Sequence, residues 1–475
     1  MSARPAGAGK GQARKKGADA KRAAEDVAAQ ADLDRIWAHI VARAPEHEIN
    51  PSLDRVQRVM EVLGDPQRAF RAIHVTGTNG KTSTARMAER LVREHGLRTG
   101  LFTSPHLTSV TERIQVDGEP ISAERFVDIW NDVFPYVQIV DAELEGEGRA
   151  RLSFFEVLVV LAYAAFADAP VDVAVVEVGM GGEWDSTNVL DAEVAVIAPV
   201  ALDHQAWLGD TIEEIAHTKA GIIKDGATVV VADQVEEAAE EIAAVVRARH
   251  ARLLREGAEL AVVERTVAVG GQMLTLRTPG AVYQDVYLPL FGEHQAHNAL
   301  LALAAGEALL TGGRALDGGV VEAAFGDATS PGRLEVVRSS PTVVVDAAHN
   351  PAGVEALVAA LDEAFAFTRL VGVVGILGDK DAEGVLATLE PVLAEIVVTQ
   401  SSSPRSTPPD ELAEIANDVF GEDRVHVADQ LSEALQVAVD LAEAGDETGV
   451  GAGTGVVVTG SVIMAADARI LLGRG

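Results

Sequence analysis

The 475-residue chain contains no cysteine. Disulfides, thiolate metal centres and a cysteine nucleophile are excluded, so any metal must be held by oxygen or imidazole. There is also no uninterrupted apolar run of eighteen residues, and the N-terminus lacks the short apolar core and cleavage site of a signal peptide. A soluble, cytoplasmic protein is the expectation. Positive charge is scarce: 39 Lys and Arg stand against 72 Asp and Glu, a net charge of −33. Residues 1–30 hold seven Lys or Arg against three Asp or Glu, so the rest of the chain is more acidic still. Its mean field repels nucleic acid and anionic membrane, and anionic ligands require local cations.

What is present suits two cores, since 48% of the residues are apolar and the length exceeds what one core usually serves. Residues 1–30, rich in Ala, Gly, Lys and Arg without apolar period, are expected to form a disordered tail. After it come AIHVTG, VDVAVVEVG, EVAVIAPV and ATVVVAD, continuous apolar runs that suggest strands buried on both faces of a parallel sheet. From about Leu253 to Leu290 polar and apolar residues alternate, as in a small antiparallel annex, and a helical stretch from about His294 to Leu310 follows. TVVVDAAHNP, LVGVVGIL, EIVVTQ, RVHVAD and GVVVTGS then alternate with helical segments. The expected fold is α/β, with a first domain over 31–328 and a smaller Rossmann-like domain over 329–475.

HVTGTNGKTSTAR, residues 74–86, carries the chemistry. A strand runs into a glycine-rich loop and an amphipathic helix, which is the setting of a phosphate loop. Gly77 and Gly80 let backbone N–H groups turn toward phosphate, Lys81 supplies a cation, and Thr82 can reach Mg²⁺. The first glycine stands three residues before the second, where the common G-x-x-x-x-G-K-[ST] pattern has five. An ordinary glycine turn capped by a solvated Lys81 is the competing reading. Glu177 ends the run VDVAVVEVG, where a charge is costly unless paired or bound to metal.

TGTNGKTST resembles the ATP loop of the Mur ligase superfamily of amide-forming ligases. FTSPHL, ERI and VEVGMGGEWDSTNV resemble its folylpolyglutamate synthase and dihydrofolate synthase branch. The similarity continues in order through ALDHQAWLG, IAHTKAGIIK, FGEHQAHNA, PGRLE, DAAHNP and TGSV, and so spans about Ile73 to Val462.

The resemblance implies a P-loop ATPase-like first domain that binds ATP through Gly77, Thr78, Asn79, Gly80, Lys81, Thr82 and Ser83. It implies two Mg²⁺ ions, with Thr82, Ser104, Glu177 and His204 as ligands. Imidazole is an unusual partner for hard Mg²⁺, so by chemistry alone His204 reads as a core or hydrogen-bonding histidine. At Lys219 the family carries a carbamylated lysine, whereas the residue alone reads as a solvated helix lysine. Across the cleft Asn298 would face adenine, Arg333 the phosphates, and Asp346 and His349 the nucleotide or incoming amino acid. A polar helix start for Asn298 and a linker turn for Arg333 are the plainer accounts. Lys81, Lys219, Asp346 and His349 are the catalytic candidates.

The implied reaction is ATP-dependent addition of L-glutamate to a folate, with dihydropteroate as a second acceptor. The partners are these small molecules, with no nucleic acid or membrane, and a monomer is expected. Three other readings compete. A cell-wall Mur ligase needs a UDP-binding domain before the loop, for which the roughly forty residues between tail and Ile73 are too few. A P-loop kinase or switch leaves PGR and DAAHN unexplained, and a non-catalytic nucleotide-binding regulator does not need both Lys81 and Glu177.

Overall fold

The computed structural model describes residues 8–44, 52–444 and 453–474. Eight strands form the first sheet: β1 (Arg71–Thr76), β2 (Thr99–Phe102), β3 (Ile114–Val116), β4 (Glu119–Pro120), β5 (Val173–Glu177), β6 (Val194–Ile197), β7 (Thr228–Val231) and β8 (Arg252–Arg255). Their order is β4-β3-β2-β5-β1-β6-β7-β8. The pairs from β2 to β8 are parallel, and only β3 and β4 add antiparallel pairings.

The continuous apolar runs are buried on both faces. Ile73 and Val75 of β1 pack with Leu91 of the helix Lys81–Glu94 and Leu300 of the helix Glu293–Thr311. Ala72 of β1 and Val176 of β5 turn the other way, toward Val157 and Leu161 of the helix Phe154–Asp168. Burial on both sides removes the alternation that a half-exposed strand would show.

The annex is antiparallel as expected, β11-β10-β9, from β9 (Ala261–Ala268), β10 (Gly271–Arg277) and β11 (Val282–Leu288). It begins later than the sequence suggested. Leu253 and Leu254 belong to β8, which extends the main sheet by pairing in parallel with β7.

The second sheet has the order β12-β13-β17-β14-β15-β16, from β12 (Glu335–Ser339), β13 (Thr342–Val345), β14 (Arg369–Val374), β15 (Glu395–Val398), β16 (Val425–Val427) and β17 (Thr454–Thr459). All its pairs are parallel except β12 with β13. Alternate valines of β13, β14 and β17 feed two cores, one on each face. The division placed after residue 328 falls between the helix Gly318–Gly326, packed on the first core, and β12.

The expected tail requires correction. Residues 1–7 lie outside the described residues, but a helix runs from Ala8 to Val41. Ala, Lys, Arg and Glu are strong helix formers, and an absent apolar period signals absent packing, not absent helix. Among the described side chains the packing lies in the C-terminal turns, where Leu33 and Ile40 are buried and Ile36 and Trp37 lean on the same core.

Among the described residues no helix is long and apolar enough to cross a membrane.

Candidate active site

Strand β1 stops at Thr76, and the helix Lys81–Glu94 starts four residues beyond Gly77. Gly77 takes φ 147°, and a Cβ there would stand 2.7 Å from the Ala198 Cβ. Gly80 takes φ 85°, and a Cβ would run into the Asn298 amide. Both positions therefore need glycine for backbone conformation and for close approach. The loop is tied to the chain beyond β6: Thr78 N donates to Pro199 O at 2.8 Å, and Thr78 Oγ1 to Ala201 O at 3.0 Å. This holds the free N–H groups of the helix's first turn toward the cavity, a natural seat for an anion.

Lys81 folds back so that its Nζ donates to Gly77 O at 3.0 Å and Thr78 O at 2.9 Å. Burial lowers its pKa, while Glu177 and Asp203 oppose the shift. Glu177 ends β5 beside the loop, in register with Val75, and is 1% exposed. Its Oε1 accepts from Thr82 Oγ1 at 2.8 Å and its Oε2 from Ser104 N at 3.2 Å. Burial raises its pKa, and the Lys81 ammonium pulls the other way.

Lys219 lies at the end of the helix Ile212–Ala220 and is buried, not solvated. Its Nζ donates to Gly77 O at 2.8 Å. Burial and the neighbouring Lys81 lower the pKa to about 7. Lys219, Gly77, Lys81, Asp203 and His204 line a small void of about 20 Å³ beside the main cavity.

The main cavity is about 870 Å³, and both halves of the chain line it. Apart from Gly77 and Lys219, every residue singled out from the sequence is on its wall: Thr78, Asn79, Gly80, Lys81, Thr82, Ser83, Ser104, Glu177, His204, Asn298, Arg333, Asp346 and His349. His204 adopts φ 52°, an unfavourable conformation for a residue with a Cβ. Burial and Lys380 bring its pKa to about 3, so the imidazole is neutral at pH 7. Asn298 Nδ2 donates to Gln295 Oε1 at 3.2 Å. Arg333 donates to the Gly332 carbonyl, and Asp346 joins that turn to the end of β13 by accepting from Leu334 N and Ala348 N, each at 2.8 Å. Burial raises the Asp346 pKa, opposed by Arg333. His349 Nδ1 lies 2.9 Å from Ala347 O, which turns its Nε2 toward Asp203.

Two residues of the site escaped the sequence reading. Asp203 immediately precedes His204, and Lys380 follows β14 in GILGDKD; their side chains meet at 2.5 Å with 8% and 6% exposure. Neither carried a local signal: Glu177 is the last residue of its buried strand, whereas Lys380 stands well past the end of β14 at Val374. Burial would raise the Asp203 pKa, but His349, His204 and Lys380 hold the carboxyl well below its usual range. The cavity is also lined by Phe155, Trp184 and a buried Arg55–Glu156 pair, with Arg55 Nε 2.9 Å from Glu156 Oε1.

Among the described residues no group of three or more His, Asp or Glu is set to hold a metal ion. Glu177 with the Thr82 hydroxyl still suits Mg²⁺, which commonly takes one or two carboxylates and completes its shell with phosphate oxygens and water.

Residues 75–306 match the Mur ligase middle domain, and residues 332–462 the Mur ligase glutamate ligase domain. The dihydrofolate synthase/folylpolyglutamate synthase of Mycobacterium tuberculosis (strain ATCC 25618 / H37Rv) is 51% identical over 458 residues, covering 93% of either chain. The chain belongs to the folylpolyglutamate synthase/dihydrofolate synthase family of the Mur ligase superfamily. The family's Escherichia coli (strain K12) dihydrofolate synthase/folylpolyglutamate synthase is 32% identical over 80% of this chain and 84% of its own. The crystal structure of Mycobacterium tuberculosis folylpolyglutamate synthase with ADP and AMPPCP matches with a TM-score of 0.89 at 49% identity, covering 94% of this chain and 99% of that one. An FPGS–AMPPCP–folate complex matches at 0.80 and 31%, covering 93% and 99%. As a family member the chain is an ATP-dependent ligase that binds nucleotide, and the other superfamily ligase and the nucleotide switch are not favoured.

Proposed function

We propose that this ligase adds L-glutamate to the glutamyl carboxylate of reduced folates, and the first glutamate to dihydropteroate, at one site shared by the two halves of the chain. The observation that carries the reading is the single cavity in which the phosphate loop, Lys81 and buried Glu177 face Arg333 and His349 from the other half. The second activity is supported by relatives at 51%, 36% and 32% identity whose names give both synthases.

A carboxylate is a poor acyl donor because its leaving group is oxide. In the proposed reaction a carboxylate oxygen of the acceptor attacks the γ-phosphorus of ATP and ADP departs, leaving an acyl phosphate. The glutamate amine attacks the acyl carbon, the tetrahedral anion collapses with loss of phosphate, and the amine proton is released. Backbone N–H groups at the start of the helix Lys81–Glu94 and the Lys81 ammonium stabilise charge on the transferring group, joined by Arg333 from across the cleft. Asn298, beside Gly80, holds the adenine end. Asp346 sets the Arg333 turn, and His349 faces the incoming amino acid.

Glu177 and Thr82, with Ser104 and His204 as the further candidates, would hold Mg²⁺, which would supply neutralisation of phosphate charge. A second ion near Lys219 accords with a carbamate there. That lysine is buried, about half of its amine is neutral at pH 7, and the adjoining void can accept a small group. Phe155 and Trp184, which line the cavity, are aromatic side chains available to a pterin ring. The enzyme works as a cytoplasmic monomer on these small molecules.

Purified protein with ATP, Mg²⁺, glutamate and either tetrahydrofolate or dihydropteroate tests this reading. Acceptor-dependent release of ADP and phosphate, matched mole for mole by new amide, is expected with both. ADP release without amide would refute ligation, and product from one acceptor alone would remove the other activity.

A further inference from the structure

We propose that Asp203 is a positioning residue for the ligation, a carboxylate in the cleft that fixes the amino-acid side of the site onto the phosphate side. The inference rests on the shared site described above and assigns a task to a residue that contacts no reacting atom in that scheme.

Asp203 lies beyond the C-terminal end of β6, on the same short segment as His204. Besides the backbone N–H of His204, which donates to Oδ1 at 2.8 Å, its partners come from the other half. Oδ1 is 2.5 Å from Lys380 Nζ, beyond β14, and Oδ2 is 3.1 Å from Asn350 Nδ2 and 3.6 Å from His349 Nε2, beyond β13. Asn350 continues the connection into the phosphate loop, where its side-chain amide and that of Asn79 exchange two hydrogen bonds of 3.2 Å. The same Asn350 caps the helix Pro351–Ala364 by accepting from Gly353 N at 2.8 Å. One carboxylate and one amide thus bind the loop that holds phosphate to the turns that carry His349 and Lys380.

Burial gives this arrangement its rigidity. Asp203 and Lys380 are both nearly closed to water, so loss of one partner leaves a buried charge that must find another arrangement. Two other contacts between the halves do different work: Arg265 with Glu363 is a more exposed pair, and Ser83 with Ser330 joins the helix to the linker. The ligation needs an amine delivered to an acyl phosphate, and a misplacement near 1 Å costs such reactions about 100-fold. A carboxylate that sets the spacing between donor and acceptor therefore acts on rate as well as on stability.

The experiment uses the full chain with Asp203→Asn, Asp203→Glu, Lys380→Met and the double variant Asp203→Asn/Lys380→Met. Folding is checked by circular dichroism and thermal melting, and AMPPCP binding, kcat and the glutamate KM are measured. Asp203→Asn should lose roughly 100-fold in kcat and raise the glutamate KM, while AMPPCP affinity changes little. Asp203→Glu should recover part of the loss. The double variant should be no worse than its weaker parent by more than about twofold, because the two residues act as one unit. Wild-type kcat and glutamate KM in a folded Asp203→Asn protein would overturn the proposal, as would fully multiplicative losses in the double variant. A lowered melting temperature with unchanged kinetics would reduce Asp203 to a structural pair and overturn it equally. If Asp203→Asn does not fold, Asn350→Ala and Lys380→Met carry the same kinetic expectation, and full activity in both defeats it. Undiminished amide synthesis by Lys81→Ala would instead remove the underlying site assignment.

Discussion

The Lys219 ammonium nitrogen lies 2.8 Å from the carbonyl oxygen of Gly77, so the end of one helix is fastened to the back of the phosphate loop. A change in protonation or covalent state at that nitrogen reaches the loop through one hydrogen bond.

The pH dependence of stability follows from this burial. In the unfolded chain Lys219 holds its proton up to about pH 10.5, but in the folded chain only below about 7. Between those values the unfolded state binds more protons, so this residue makes stability rise with pH across the window. Lys219→Met should flatten the rise, and chemical denaturation of both proteins at pH 7 and pH 9 measures it. If the lysine is carbamylated, Lys219→Met should also lose activity, and a short-chain acid that occupies the anionic position should restore part of it.

Lys81→Ala should leave the melting temperature nearly unchanged and lower kcat by about 10²- to 10³-fold, the range for removing one donor to developing charge. Steady-state kinetics beside a thermal melt decide the matter. Near-normal turnover in the folded variant would exclude Lys81 from phosphoryl transfer.

Glu177→Gln keeps the shape and the neighbouring Thr82 and Ser104 but removes the anion. The Mg²⁺ concentration for half-maximal activity should rise tenfold or more, since even supporting residues around metals are worth about 10- to 100-fold. A Mg²⁺ titration at saturating ATP reads this directly, and an unshifted midpoint would make the carboxylate purely structural.

Glu156→Ala should destabilise the chain by about 3–5 kcal/mol, because it removes the carboxylate from a buried ion pair. It also breaks the capping box in which Ser153 and Glu156 start the helix Phe154–Asp168. Urea denaturation measures the loss, which would be below about 1 kcal/mol if the pair behaved as an exposed one.

The strands and the phosphate loop were legible because their signals are local. A run such as VDVAVVEVG announces two-sided burial, and strand, glycines, Lys81 and helix are contiguous in the chain. Asp203 and Lys380 were not legible as a pair, since 177 residues separate them and each is unremarked in its own segment. The N-terminal helix was missed for another reason: periodicity reports what packs, and the described side chains shortly before Leu33, Val27 among them, are mostly exposed. Read alone, Lys219 looks solvated because its helix carries Glu213 and Glu214 in the first turn, whereas its last turn points inward; only the family resemblance marked it as a site residue.

Val75 and Glu177 stand opposite each other on the neighbouring strands β1 and β5. Adjacent strands are held about 4.8 Å apart by the backbone ladder, whatever side chains they carry. The spacing between the start of the phosphate loop and the candidate metal carboxylate is thus inherited from main-chain geometry. Core residues on either strand can be exchanged in evolution for others of similar volume without retuning that spacing, so sequence drift and a constant reaction geometry are compatible here.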